Sequence, residues 1–358
     1  MNILYTNFHY GPGGGHTTYI LALVRNQRHR KYVACPPQSL LYRTLEEQGF
    51  DGLIPLDFPH RLHELPRIVK NSFALKKIIA EKEIDLVHTN GSADNLTAMY
   101  ARWLSGKKFK VVLTKHNTHK IRGAISNARF KNFNDAVIFV TDFIFEAIGL
   151  PNDSPKYHVV ENGIDPEYWK KTEEISTSAD CLTLVSNAGT TLRKGWTYLA
   201  EALATLPQAD RARLKVQVLG RLGEDLAEEM ERAKRISGME FPGFHDPRPF
   251  LEKGDVGFIL SYAGEACSFA CREMMSMALP VLVSDYSGHV KNVDDSCGWV
   301  TRARDVESIR EALLKILSLS AEEISTMKAA ARAKAEKYFS IDTMLEATNR
   351  VYDQLMQG

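Results

Sequence analysis

Residues 264–285 read Gly-Glu-Ala-Cys-Ser-Phe-Ala-Cys-Arg-Glu-Met-Met-Ser-Met-Ala-Leu-Pro-Val-Leu-Val-Ser-Asp, and this stretch decides the fold class. An apolar run from Val256 to Leu260 comes just before it and predicts a buried strand. Val281 to Val283 predicts a second strand, after a helix that ends at Pro280. The order strand, helix, strand is typical of a parallel sheet in an α/β protein.

Two glutamates in this stretch, Glu265 and Glu273, have seven residues between them. Glu265 follows a strand directly, and open α/β sheets bind ligands at the carboxyl ends of their strands. Glu273 is expected about two turns into the helix. Taken alone, the spacing also fits two solvated carboxylates on a helix. The helix start offers free backbone N–H groups that suit an anion, at residues that include Cys267, Ser268 and Phe269.

The chain of 358 residues is long for a single core, so we expect two domains. Its apolar content of 44% and charged content of 25% are those of an ordinary globular protein. Charge is spread unevenly, because residues 1–165 hold 21 Lys and Arg against 15 Asp and Glu, whereas the remainder holds 24 against 29. The basic first part favours anionic partners such as phosphates or an anionic membrane surface.

The five cysteines form no C-x-x-C pair and are odd in number, which indicates a reducing compartment rather than a disulfide framework. The first residues lack a basic leader and a long apolar run, so we expect no signal peptide. We also expect no transmembrane helix, because no window is apolar over the length that a membrane span needs. Together these features predict a cytoplasmic protein.

The glutamate pair, with the strand before it and the Leu-Pro-Val-Leu-Val-Ser-Asp run after it, resembles a known element. It is similar to the E-x7-E element of the retaining glycosyltransferases with two Rossmann-like domains, the GT-B class. This large family includes bacterial lipopolysaccharide-core and phosphatidylinositol mannosyl transferases. The resemblance implies that Glu265 lies by the donor sugar and that Glu273 holds the ribose hydroxyls of the donor.

Asn2 to Thr6 predicts a first strand, and a glycine-rich loop through Gly13, Gly14 and Gly15 joins it to a helix from Thr17. A strand, such a loop and a helix start together favour phosphate binding. The dinucleotide fingerprint G-x-G-x-x-G and the Walker sequence G-K-S/T are both absent, and a plain flexible loop is the alternative. The resemblance implies that these three glycines approach the donor's diphosphate and the acceptor.

The run from Lys110 to His116 predicts a strand that ends in polar residues, with Lys115 and His119 close to His116. A histidine at the carboxyl end of a strand is a better ligand candidate than a histidine on a helix face. The resemblance implies that His116 faces the donor sugar.

Leu182 to Ser186 predicts the first strand of a second domain, and the loop after it carries Arg193 and Lys194. The resemblance implies that this cation pair holds the donor's two phosphates, as departure of a diphosphate requires. The family's arginine usually stands directly after the first glycine of the loop, where this chain has Thr190. The residues that the resemblance places at the nucleobase are Gly243 and Phe244.

Two basic segments have more than one interpretation. Arg61 to Lys82 has a helical pattern and predicts either a surface helix with a solvated basic face or an amphipathic segment that touches anionic lipid. Lys120 to Lys131 predicts a mobile segment, either in contact with the acceptor or a membrane or merely solvated.

We therefore expect an α/β fold of two Rossmann-like parallel-sheet domains that face a central cleft, with a C-terminal helix that crosses back to the first domain. The expected bounds are 1–165 for the acceptor-side domain, 166–180 for a linker, 181–338 for the donor-binding domain and 339–358 for the last helix. The candidate catalytic residues are Glu265, His116 and Lys194.

The expected function is retaining transfer of a sugar from a nucleotide-diphosphate donor, UDP-linked, to a glycan or lipid-linked acceptor. The setting would be cell-envelope polysaccharide or lipopolysaccharide synthesis at the inner face of the cytoplasmic membrane. No D-x-D triplet occurs, so we expect no metal, and we expect neither a cofactor nor a nucleic-acid partner. A nucleotide-sugar epimerase of the same fold and a catalytically silent nucleotide-sugar-binding module are the alternatives.

Overall fold

A computed structural model describes residues 1–11, 14–106, 108–121, 123–150, 154–173, 180–264, 267–286 and 288–357. The chain divides into two compact units. The first unit holds Met1–Gly163 and the chain from Ile341 onward, and the second holds Ile164–Ser340. Among the described residues, no helix combines the length and apolar composition that crossing a membrane requires.

The first unit is built on a parallel sheet. Seven strands of its described residues form this sheet: β1 (Asn2–Thr6), β2 (Arg30–Cys35), β3 (Leu53–Pro55), β4 (Leu86–Thr89), β5 (Lys110–Lys115), β6 (Ala136–Phe139) and β7 (Tyr157–Val159). Their order is β3-β2-β1-β4-β5-β6-β7, and every neighbouring pair is parallel. Ile3, Leu4 and Tyr5 of β1 have no exposed surface, as expected for a central strand covered on both faces.

Helices connect these strands: α1 (Gly15–Asn26), α2 (Leu40–Glu47), α3 (Leu65–Glu81), α4 (Ser92–Leu104), α5 (Ala124–Asn132) and α6 (Asp142–Ile148). The chain adds strands outward from β1 in one direction, then returns and continues in the other from β4. The switch point between β1 and β4 is where a sheet of this order opens a ligand crevice.

The second unit repeats this plan with six strands of the described chain: β8 (Leu182–Ser186), β9 (Leu214–Leu219), β10 (Glu240–Gly243), β11 (Val256–Ile259), β12 (Val281–Ser284) and β13 (Gly298–Thr301). Its helices are α7 (Trp196–Ala204), α8 (Gln208–Arg211), α9 (Ala227–Ser237), α10 (Arg248–Glu252), α11 (Phe269–Ser276), α12 (Val306–Leu317) and α13 (Ala321–Tyr338). The order β10-β9-β8-β11-β12-β13 puts the switch point between β8 and β11. The predicted class of two Rossmann-like parallel sheets is confirmed.

The last helix, α14 (Ile341–Gln357), belongs to the first unit. Met344, Val351 and Tyr352 lie in the same core cluster as β1 and α1. The Tyr352 hydroxyl is 2.5 Å from Nδ1 of His88, a fully buried residue of β4. This helix therefore completes the hydrophobic core of the first unit, although the whole second unit precedes it in sequence.

The segment that the sequence predicts as a linker, 166–180, is packed over its described part. Trp169 packs against a core cluster of the second unit, and its carbonyl accepts hydrogen bonds from Ser276 Oγ at 2.8 Å and Arg332 Nη1 at 2.6 Å. Lys171 Nζ donates to the Gly254 carbonyl at 3.1 Å. The described residues up to Glu173 are therefore part of the second unit.

The segment from Lys120 to Lys131 includes helix α5 from Ala124, and its mobility stays a prediction. One local prediction was wrong. Helix α11 begins at Phe269 and ends at Ser276, so Glu273 lies little more than one turn from its start, rather than two. The helix stops before Pro280 because Ala278 adopts a left-handed conformation, with φ of 53°.

Gly195 allows the close approach of two loops in the second unit. Its φ is 74°, and a Cβ at this position would lie 2.0 Å from the Leu260 carbonyl oxygen. Only glycine fits here, because a side chain would be strained and would also collide with backbone.

We expect Gly195→Ala to lower the free energy of unfolding by about 3 kcal/mol or more. The alanine would be strained in the left-handed conformation, and its Cβ would also collide with the Leu260 carbonyl. Gly238→Ala is the matched control, because Gly238 has φ of 73° but nothing within 4 Å of an added Cβ. Gly238→Ala should lower the free energy of unfolding by the strain alone, about 1–2 kcal/mol. Urea unfolding measures both, and equal losses would contradict the proposed collision.

Candidate functional site

In the second unit, Glu273 lies beside the loop that follows β8, at the switch point. Asn187 directly follows β8, and its Nδ2 donates to Glu273 Oε2 at 2.6 Å. Burial raises the pKa of the Glu273 carboxyl to about 7, and the hydrogen bond from Asn187 opposes this effect. Among the described residues, Oδ1 of Asn187 has no hydrogen-bond partner. The pair thus leaves both a carboxylate and an amide oxygen for a ligand with hydroxyl groups.

Helix α11 holds Glu273 in place. Ser268 caps the helix, because its Oγ accepts from the Cys271 N–H at 3.3 Å. Cys271 and Met274 are fully buried, which fixes the opposite face of the helix in the core. Cys267, Ser268 and Phe269 lie at the start of α11 as predicted from the sequence, and Glu265 lies outside the described residues.

Arg193 and Lys194 lie in a 3-10 turn, Leu192–Lys194, that packs on the loop after β11. The Arg193 carbonyl accepts from the Tyr262 N–H at 3.0 Å. The Arg193 guanidinium lies against Gly264, since a Cβ on that glycine would be 3.0 Å from Nη1. The turn therefore places an exposed cation next to the residue before Glu265.

Gly243 and Phe244 lie where β10 ends. Gly243 has φ of 102°, a conformation that favours glycine, and Phe244 is 74% exposed. The Arg221 guanidinium carbon is 5.7 Å from the centre of the Phe244 ring. An exposed aromatic ring with a cation over it is a surface on which a planar base can stack.

The first unit has a cavity of about 280 Å³ at the carboxyl ends of its strands. Three histidines meet there, two from the segment that follows β1 and one that follows β5. The ring centroids of His9 and His16 are 4.2 Å apart, and those of His16 and His116 are 4.1 Å apart. His116 Nε2 is 3.2 Å from Asn90 Oδ1 at the end of β4. His116 follows β5, one strand beyond the switch point, and its side chain contacts Asn90 at that switch point.

Burial lowers the pKa of all three histidines, which favours their neutral form. Burial lowers the pKa of His116 well below its ordinary value, and the neighbouring His16 lowers it further. Burial, followed by the charge of His9, lowers the pKa of His16 to about 3. Neutral imidazoles can donate and accept hydrogen bonds to hydroxyl groups, as sugar orientation requires. Among the described residues, no group of three His, Cys, Asp or Glu side chains is arranged to hold a metal ion.

Sequence analysis missed His9 and His16 as cavity residues, and it included Arg129 only as part of the basic segment from Lys120 to Lys131. His9 and His16 flank the glycine-rich loop in sequence. Their closeness to that predicted binding loop was the signal that could have identified them. Gly14 and Gly15 lie at the start of α1, and Gly14 has φ of 145°, whereas Gly13 lies outside the described residues.

The raised pKa of Glu273 has a consequence for stability. A carboxyl group whose pKa rises from 4.5 to about 7 on folding stabilises the protein below pH 4.5, and this contribution is lost as the pH rises through 7. We expect wild-type unfolding free energy to fall relative to Glu273→Gln by about 3 kcal/mol between pH 4.5 and 7.5.

Urea unfolding followed by tryptophan fluorescence checks this, because three of the four tryptophans (Trp169, Trp196 and Trp299) lie in the second unit. Glu228→Gln, at an exposed position of α9, is the control and should track the wild type. A constant difference between wild type and Glu273→Gln across this range would show that the carboxyl titrates normally.

Two family models match the chain in succession. Residues 13–168 match Glycosyltransferase Family 4, and residues 180–319 match Glycosyl transferases group 1. Among curated proteins, none matches this chain by sequence.

Several solved structures share the fold over their whole length. A glycosyltransferase from Rickettsia africae ESF-5 has a TM-score of 0.83 at 17% identity, with coverage of 100% of this chain and 99% of that chain. Anabaena Alr3699/HepE in complex with UDP-glucose has a TM-score of 0.78 at 18% identity and 100% coverage of both. The lipopolysaccharide outer core galactosyltransferase WaaB has a TM-score of 0.76 at 16% identity and 99% coverage of both. With a Glycosyltransferase Family 4 domain followed by a group 1 glycosyl transferase domain, the chain is a glycosyltransferase.

Proposed function

We propose that this glycosyltransferase moves a sugar from a nucleotide-diphosphate donor, UDP-linked, to a glycan or lipid-linked acceptor, with retention of configuration. The observation that carries the proposal is the Asn187–Glu273 pair at the switch point of the second unit. A carboxylate there, held by a single amide and otherwise open, suits the two adjacent hydroxyls of a ribose.

The polar groups around that pair suit the rest of a nucleotide donor. Phe244, with Arg221 over its ring, would stack on the base. Lys194 and Arg193 would stabilise the charge that develops on the departing diphosphate, helped by backbone N–H groups at Cys267 and Ser268. Anabaena Alr3699/HepE binds UDP and UDP-glucose, which supports a UDP-linked donor for a chain of the same fold.

The roles of the remaining groups come from the family resemblance. Glu265 and His116 would orient the donor sugar, and His116 would do so as a neutral imidazole held by Asn90. The glycines at positions 13–15 would approach the diphosphate and the acceptor. The proposal needs no metal and no cofactor. Turnover of the donor only when an acceptor is present would distinguish transfer from epimerisation and from silent binding.

The proposal includes contact with an anionic membrane surface in cell-envelope polysaccharide or lipopolysaccharide synthesis. Leu65, Val69 and Phe73 form a stripe along α3 and are 50%, 44% and 51% exposed. Exposed Lys70 and Lys77 lie on the same helix. Apolar side chains with lysines beside them suit a bilayer interface that carries anionic lipid. The solved galactosyltransferase WaaB acts on lipopolysaccharide outer core, which is compatible with this setting.

A thermal-shift screen of nucleotide sugars tests the donor assignment. A UDP-sugar at a hundredfold excess over its Kd should raise Tm by about 5 °C or more, since it binds only the folded state. Glu273→Ala should weaken binding of that donor at least tenfold, through loss of charged hydrogen bonds to the ribose. Lys194→Ala should instead lower kcat for transfer about a hundredfold and leave the donor KM within a few-fold of wild type.

Glu228→Gln, on the exposed face of α9, serves as the control in both measurements. Wild-type donor affinity in Glu273→Ala together with a wild-type kcat in Lys194→Ala would reject the site assignment. Stabilisation by GDP- or ADP-sugars alone would reject the UDP assignment and keep the rest.

The membrane part has its own test. Phe73→Ser should reduce binding to phosphatidylglycerol vesicles several-fold in a sedimentation assay, because it removes apolar area from the α3 stripe. Met356→Ser is the matched control, since Met356 is 46% exposed on α14 of the same unit. Equal binding by wild type and Phe73→Ser, or equal binding to uncharged phosphatidylcholine vesicles, would remove the membrane from the proposal.

A further inference from the structure

The cavity of the first unit carries positive charge without a matching negative charge at its wall. Its lining includes the cations Lys115, Lys120 and Arg129, together with four histidines. No aspartate or glutamate is among the described residues that line it. An apolar or neutral ligand alone would leave these charges unused.

The two cations nearest the strand ends have only neutral partners. Arg129 Nη2 donates to Ser92 Oγ at 2.7 Å, and Lys115 Nζ donates to Asn117 Oδ1 at 2.5 Å. In the part of the chain that the structure describes, neither cation has an ion-pair partner within 4 Å. Burial lowers the pKa of Lys115 to about 8 and also lowers the pKa of Arg129. Partial burial of unpaired cations is unfavourable, so an anion bound between them would be stabilised.

Asp94 is the nearby acid, and its charge favours the charged form of Arg129, although Asp94 does not line the cavity. It is fully buried, and Oδ2 accepts from Thr6 Oγ1 and from the Asn90 N–H, both at 2.7 Å. Burial raises the pKa of Asp94 to about 7, so it carries only part of a negative charge at neutral pH. Asp94 therefore offsets only part of the positive charge of Arg129.

The start of helix α4 borders the cavity. Gly91 and Ser92 line the cavity, and Gly91 is the cap residue of this 13-residue helix. Asp94 lies in the first turn of α4, and its Oδ2 accepts from the Asn90 N–H just before the helix, so this helix start already has an acid beside it. The arginine fork and the lysine that line the cavity are therefore the groups that suit a phosphate group.

We infer that this cavity binds a phosphate group carried by the acceptor, either on a soluble sugar phosphate or in a lipid headgroup. The inference rests on the proposed function, because it names the acceptor class of the same transfer reaction. The alternative occupant is the donor's own diphosphate, which the glycine-rich loop also approaches in the family that this chain resembles.

Calorimetric titration of inorganic phosphate into the full-length protein saturated with UDP separates these occupants. We expect phosphate to bind the UDP complex, and Arg129→Gln and Lys115→Gln each to weaken phosphate binding at least tenfold with unchanged UDP affinity. The control is Lys131→Gln, on the exposed face of the same helix α5, which should bind phosphate as the wild type does.

Several results would overturn the inference. Exclusion of phosphate by UDP would assign the cavity to the donor's diphosphate. Equal losses in Lys131→Gln and Arg129→Gln would indicate unspecific attraction, and acetate binding as tightly as phosphate would remove the phosphate preference. Failure of UDP to bind would instead reject the proposed function, and the phosphate titration would then be read without UDP.

Competition identifies the source of the phosphate. Glycerol 3-phosphate and phosphatidylglycerol vesicles are each added to the phosphate-bound wild type. Displacement by vesicles at lower phosphate-group concentration supports a lipid headgroup, and displacement by glycerol 3-phosphate alone supports a soluble acceptor. Failure of both to displace phosphate would overturn the acceptor assignment.

Discussion

In a parallel sheet all strands point the same way, so the loops that leave their carboxyl ends meet along one edge. The chain uses this constraint twice, and in each unit the strand order reverses direction beside the first strand. Asn187 follows β8 at one reversal, and Asn90 follows β4 at the other. Each asparagine contacts an ionisable group that we propose as a ligand contact, Glu273 in one case and His116 in the other.

The second unit depends on a close approach of backbone as much as on charge. The turn with Arg193 and Lys194 can pack on the loop after β11 only because Gly195 presents no side chain to Leu260. The Glu273 carboxyl group is half-buried and accepts one hydrogen bond, from the Asn187 amide. Burial therefore destabilises its charged form. Hydroxyl groups of a donor would complete its hydrogen bonding, so binding and ionisation of Glu273 are coupled.

The first unit has the opposite character. Its histidines lose their charge through burial, while Lys115 and Arg129 remain as cations with neutral partners. Helix α14 closes the core beneath them, and the hydrogen bond from Tyr352 to His88 ties the end of the chain to β4. A rigid, fully buried layer under the cavity fixes the positions of the groups that line it.

The sequence by itself determined the alternation of strands and helices, because buried parallel strands are continuous apolar runs that stand out between polar segments. It also placed His116 at the end of a strand, Lys194 in the loop after a strand and Glu273 within the helix after another strand, since those positions follow from where the apolar runs stop. Only the tertiary structure decided which distant groups meet. His16 contacts His116 across about a hundred residues of sequence, Gly195 fits under Leu260, and α14 returns to the first core. Such contacts depend on strand order and on packing between elements, and local sequence patterns contain no information about either.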